Sequence, residues 1–85
     1  MRIDEMSSAA FAEAVKDDPV VFLPMGAVEA HGPHLPLGTD TFQPEHVVRE
    51  VCGRTGGLIA PTINYGQHSS TRNFPGTLDI TFDTL

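Results

Sequence analysis

The sequence predicts an α/β fold, a mostly parallel sheet with flanking helices, in a chain of 85 residues no larger than one small domain. Three observations carry this. Val20-Val21-Phe22-Leu23 is a β-branched and aromatic run without alternation, the pattern of a strand covered on both faces. Leu58-Ile59-Ala60 is a second run of the same kind. Between them lies an amphipathic helix pattern, the usual crossover between neighbouring parallel strands.

Taken in order, Ser7 or Ser8 can cap a short helix through the alanine-rich stretch that follows, with Phe11 and Val15 at i and i+4. Asp17-Asp18-Pro19 stops it, and Pro24 marks the end of the first strand. Residues 25 to 40 hold Gly and Pro with no sustained periodicity, and therefore read as a loop. Pro44 suits the first turn of the second helix, whose Val47, Val48, Val51 and Cys52 form one apolar stripe opposite Glu45, Arg49 and Glu50. Gly53 or Gly56 closes it. After Leu58 to Ala60 and a turn-rich stretch from Pro61 to Asn73, Thr77 to Phe82 reads as a third strand. Asp83 or Thr84 would then cap a further helix just where the sequence stops, at Leu85.

Eleven acidic against five basic residues give a net charge of −6, and no Lys/Arg cluster is present. Nucleic-acid and anionic-membrane surfaces need basic side chains that displace counterions, so neither partner is expected. No apolar run approaches the roughly 20 residues of a membrane span. The single cysteine, Cys52, cannot form an internal disulfide, and Met1 to Ser8 lacks a leader pattern, which together suggest a cytoplasmic protein. Cys52 belongs to the apolar stripe and is expected in the core. A chain of this size buries only about 60–65% of its unfolded surface. Strands meant to be covered on both faces would then leave open edges, so a homo-oligomer or a complementary C-terminal chain is expected.

The chemistry concentrates in the loop. Glu29 and His31 are two apart, so an extended backbone projects both from one side, roughly 6–7 Å apart. Asp40 follows across a Gly/Pro-rich segment able to reverse direction. Carboxylate, imidazole and carboxylate suit Zn²⁺ or Mn²⁺, and a carboxylate can bridge two ions. The same three residues also read as two solvated loop carboxylates and a turn histidine. His34 and His68 have two readings, a group that supports a metal ligand or shuttles a proton and a plain exposed turn residue, and their turn-rich segments favour the second; His46 reads as a surface or subunit-contact residue.

The stretch Leu23-Pro24-Met25-Gly26-Ala27-Val28-Glu29-Ala30-His31-Gly32-Pro33-His34-Leu35-Pro36-Leu37-Gly38-Thr39-Asp40 resembles the N-terminal signature of the creatininase family of metal-dependent amidohydrolases. Phe74-Pro75-Gly76-Thr77 resembles a second signature, and Tyr65-Gly66 is placed as in the family. The resemblance implies that Glu29, His31 and Asp40 are metal ligands, with Asp40 bridging two ions and Glu29 and His31 each holding one. It implies that Ser69 lies near the substrate, where its other reading is a plain turn hydroxyl. It further implies a C–N-cleaving reaction on an amide, cyclic amide, formamide or peptide through a metal-activated water. Family members are several times longer and draw further ligands from later segments, so the chain resembles an N-terminal portion of such a domain. The rival reading is a non-catalytic α/β module that binds metal weakly or only associates with partner chains.

Overall fold

The computed structural model describes residues 1–84; the end of the expected helix start, Leu85, lies outside the described residues. Two strands, β1 (Val21–Phe22) and β2 (Leu58–Ile59), pair in parallel with Val21 opposite Leu58 and Phe22 opposite Ile59. The crossover between them is a helix, as the non-alternating runs require. The ladder is short because only the middle of each apolar run pairs. It is prolonged by an isolated parallel bridge between Met25 and Ile63, beyond Pro24.

The first helix, α1 (Ser8–Ala14), starts at Ser7, whose Oγ accepts the Ala10 N–H at 3.1 Å. A 3-10 turn, Val15–Asp17, follows and ends at Asp18, which takes a left-handed conformation (φ 52°) ahead of Pro19. Phe11 and Val15 remain exposed, so this helix packs little apolar surface.

The second helix, α2 (Thr39–Thr55), begins five residues before the proline-based expectation, and Pro44 lies inside it. Its start is set instead by Gly38, whose carbonyl accepts the N–H groups of Thr41 and Phe42, both at 2.9 Å. Pro44 has no N–H to return to the Asp40 carbonyl four residues back, a loss confined to the second turn. Gly56 (φ 76°) closes the helix by donating to the Cys52 carbonyl at 2.8 Å, while Gly53 stays within it.

The amino terminus adds a pairing that composition did not reveal. Ile59 donates to the Met1 carbonyl at 2.8 Å on one edge of β2, whereas Leu58 and Ala60 donate to Val20 and Phe22 on the other. The Met1 ammonium also reaches the Gly57 carbonyl at 3.3 Å. Thr77 to Phe82 does not form a regular strand. It is tied at single points, Leu78 to the Val28 carbonyl (2.9 Å) and Ile80 to the Gly66 carbonyl (3.0 Å), because its partners are irregular loops with no continuous ladder to offer. The segment then ends in a turn closed by Thr84 donating to Thr81.

The core is small: Pro24, Ala27, Cys52 and Leu58 are buried, with the polar Thr41. Cys52 thus takes the expected core position and Val48 is half-buried, but Val47 and Val51 of the same stripe are exposed. The expectation that β1 is covered on both faces also fails within this chain: Val20, Val21 and Leu23 are each at least half exposed. One crossover helix shields one side of a two-stranded sheet and leaves the other open. The surface of 6034 Å² exceeds the about 4,900 Å² of a compact chain of this mass. The radius of gyration of 15.6 Å likewise exceeds the about 12 Å of a compact 85-residue domain.

Candidate metal centre

Two close approaches position the loop after β1. Gly26 donates to the Ile63 carbonyl at 2.8 Å, which keeps the chain extended past the strand. Its other side abuts the first turn of α2 so tightly that a Cβ would lie 2.5 Å from the Thr41 Cα and 2.8 Å from the Asp40 carbonyl oxygen. The buried Thr41 hydroxyl shares its proton between the Ala27 carbonyl (3.1 Å) and Asn64 Oδ1 (3.3 Å). The extended segment carrying Glu29 and His31 is thereby locked against the helix turn carrying Asp40.

The loop closes on itself where Glu29 donates to the Leu37 carbonyl at 3.1 Å. From the far side, the Thr77 hydroxyl accepts the Ala30 N–H at 2.9 Å, fixing the backbone between the two candidate ligands. Gly76, one residue earlier, has a left-handed φ of 88°, and a Cβ there would strike the Leu37 side chain at 2.5 Å. The Phe74-Pro75-Gly76-Thr77 segment therefore acts as a brace for the Glu29 to Leu37 loop.

Glu29, His31 and Asp40 converge, each offering one ligand atom and all these atoms lying within 4.8 Å of one another. The His31 ring folds back so that Nδ1 lies 2.9 Å from the Glu29 carbonyl oxygen, and Nε2 lies 3.1 Å from Asp40 Oδ1. A carbonyl can only accept, so Nδ1 carries a proton. In the neutral ring Nε2 then presents a lone pair directly to a carboxylate oxygen. Two lone pairs at this distance repel unless a proton or a cation lies between them. The ring accordingly favours its charged form: the Glu29 carbonyl first, then Asp40, raises the His31 pKa above its ordinary value, with partial burial opposing them.

The donor set fits a divalent ion. Two ligand atoms about 2.1 Å from one metal stand roughly 3.0–3.4 Å apart for octahedral to tetrahedral angles, and the His31–Asp40 separation falls in that range. Asp40, in the first turn of α2, also has its charge at the positive end of the helix dipole.

Two further residues meet Glu29. The Thr71 hydroxyl donates to Glu29 Oε2 at 2.7 Å, and His68 Nδ1 lies 3.6 Å from the same oxygen. His68 is thus not the exposed turn residue its neighbourhood suggested: its side chain is only 14% exposed, because the loop folds back over Glu29. Nothing in the spacing of His68 and Thr71 pointed to Glu29, roughly forty positions earlier in the chain. Thr77 was the more legible, as part of a recognisable signature. His34 and His46 are exposed, in line with the sequence reading, and Ser69 is exposed in the turn directly after His68.

The family model described as creatinine amidohydrolase matches residues 4–85. The mycofactocin precursor peptide peptidase of Mycobacterium tuberculosis is 34% identical over 93 aligned positions, covering 98% of this chain and 37% of the relative. The creatinine amidohydrolase of Pseudomonas putida is 35% identical over 79 positions, covering 87% of this chain and 30% of the relative. A solved mutant creatininase of Zn–Zn type superposes with a TM-score of 0.87 at 30% identity, covering 98% of this chain and 34% of that one. The chain spans about a third of the length of these proteins. With its sequence signatures, its parallel crossover and its loop all matched over nearly every residue, the chain belongs to the creatininase family.

Proposed function

We propose that this chain supplies Glu29, His31 and Asp40 to the dinuclear centre of a metal-dependent amidohydrolase that cleaves a C–N bond in an amide, cyclic amide, formamide or peptide. The convergence of the three ligand atoms within 4.8 Å carries this reading. Relatives whose names are those of a peptidase and a creatinine amidohydrolase support the bond class, and the Zn–Zn-type creatininase supports a pair of divalent ions, Zn²⁺ or Mn²⁺. Bound here, such ions would supply Lewis acidity that lowers the pKa of a water molecule and polarises a substrate carbonyl.

The chain's own residues do the positioning. His31 keeps its Nδ1 proton on the Glu29 carbonyl, which leaves Nε2 as the ligand atom. Asp40, with two oxygens, is the group suited to bridge, and its position at the start of α2 holds it against Gly26. Ser69, on the exposed turn beside His68, is the group we assign to the substrate rim. The remaining donors, and a general acid, would come from another segment, and a homo-oligomer or a complementary C-terminal chain would cover the open strand edges. A cytoplasmic setting suits the unpaired Cys52.

Among the described residues this is the one cluster of three such donors, and three ligands do not complete two metal sites. A second reading is a non-catalytic module that binds metal weakly or only associates with partner chains. Metal content measured together with amide and peptide turnover separates the two. Two equivalents of metal with turnover supports the amidohydrolase, whereas substoichiometric metal with no turnover supports the module.

A further inference from the structure

Glu29 is held by more than its backbone. The Thr71 hydroxyl donates to Oε2 at 2.7 Å, a short bond to an ionised acceptor. His68 Nδ1 approaches the same oxygen at 3.6 Å, beyond hydrogen-bond length; in the tautomer that protonates Nδ1, the N–H dipole favours the carboxylate. Oε1 has no hydrogen-bond partner among the described residues.

The loop is built to keep both side chains there. His68 donates its backbone N–H to the Asp79 carboxylate, and Ile80 donates to the Gly66 carbonyl, which pins the start of the loop to a separate segment. Two successive turns, Thr71 to the His68 carbonyl (3.2 Å) and Phe74 to the Thr71 carbonyl (2.9 Å), then carry the chain to the brace at Thr77. His68 accepts a cost for its place: Nε2 is buried without a hydrogen-bond partner. A buried orphan nitrogen is expensive, and a ring kept in that state is explained by what its other nitrogen does.

The geometry points to Thr71 and His68 as positioning residues that hold Glu29 through Oε2 and leave Oε1 as its ligand atom. This rests on the metal-centre reading above. Thr71, with the short bond, is the stronger of the two. The pair would leave Glu29 one free carboxylate oxygen for its ion and removes the side-chain freedom it would otherwise lose on binding. Partners that orient a ligand in this way typically change metal affinity by about 10–100-fold.

The test is calorimetric titration of the complete protein with Zn²⁺ for the parent and for Thr71→Val, Thr71→Ser, His68→Ala and His68→Asn, with thermal unfolding of each metal-free form as a folding control. Thr71→Val keeps the shape and removes the donor, so its affinity should fall by about tenfold or more. Thr71→Ser restores the hydroxyl and should bind within about threefold of the parent, a rescue that loss of packing would not produce. His68→Ala should lose less than Thr71→Val, and His68→Asn, which keeps a donor near the Nδ1 position, should recover part of that loss. Glu29→Gln separates the two levels of the argument. If it weakens Zn²⁺ binding while Thr71→Val and His68→Ala both bind like the parent, the positioning assignment is wrong and the metal centre stands. If Glu29→Gln, His31→Ala and Asp40→Asn all bind like the parent, the metal centre itself is wrong, and the assignment falls with it.

Discussion

Replacing Gly26 with Ala tests the contact on which the site depends. The added Cβ would lie 2.5 Å from both the Thr41 Cα and its Oγ1, and 2.8 Å from the Asp40 carbonyl oxygen. Ordinary carbon–carbon contact is about 3.5–4.0 Å, so the loop and the first turn of α2 must separate by about 1 Å. Two of these three atoms are backbone, so turning the Thr41 side chain alone cannot absorb the clash. Overpacking of this kind costs about 1–3 kcal/mol, and for a domain of this size about 2 kcal/mol lowers the unfolding midpoint by roughly 8–16 °C. The same shift opens the 3.1 Å gap between His31 and Asp40, so Zn²⁺ affinity should fall by at least about tenfold. Gly53→Ala is the control. That glycine lies inside α2 with nothing near its Cβ position, so alanine should stabilise by about 0.5–1 kcal/mol and leave metal binding unchanged. Thermal unfolding and calorimetric titration of both variants check the pair. A Gly26→Ala protein with the parent's midpoint and affinity would refute the claim that close backbone approach positions Asp40.

Among the three ligands, Asp40→Asn should cost the most metal affinity, His31→Ala less and Glu29→Gln least, because a bridging carboxylate offsets the charge of both ions; titration with Zn²⁺ and Mn²⁺ gives the order, and equal binding by Asp40→Asn would defeat the dinuclear assignment. His31 has a raised pKa, so its contribution to metal-free stability is full below the ordinary value of about 6.5 and is lost as pH rises through the raised value. Metal binding runs the other way and weakens as pH falls through that raised value, since the ion must displace the proton; NMR titration of the ring and Zn²⁺ affinity against pH should show the two opposed trends. Thr77→Val leaves the partly buried Ala30 N–H without its acceptor and should destabilise by about 1–3 kcal/mol in denaturant unfolding, with Thr77→Ser close to the parent.

The sequence by itself determined the order of elements and the chemistry of the loop. Two unalternating apolar runs around a helical pattern leave few arrangements other than a parallel pair with a crossover, and β1, α2 and β2 follow it. Spacing brought Glu29 and His31 to one side of an extended chain and let a reversing Gly/Pro-rich loop return Asp40 to them, while the family resemblance implied their ligand roles; their convergence within 4.8 Å is the structural counterpart. Local rules were less decisive where distant contacts compete. Pro44 is a good first-turn residue, yet α2 starts at Thr39 because the contact of Gly26 with Thr41 and the Gly38 carbonyl caps organise the turn earlier. Thr77 to Phe82 has strand composition but lacks a neighbour with a free ladder, and a strand needs a partner as much as a sequence. His68, read as a turn histidine, became a neighbour of Glu29 only when its loop folded over the site. Composition and periodicity report which residues can form an element or donate to an ion. Which oxygen of Glu29 is occupied, and by whom, depends on side chains 39 and 42 positions away, and contacts between distant segments are fixed only when the whole chain has packed.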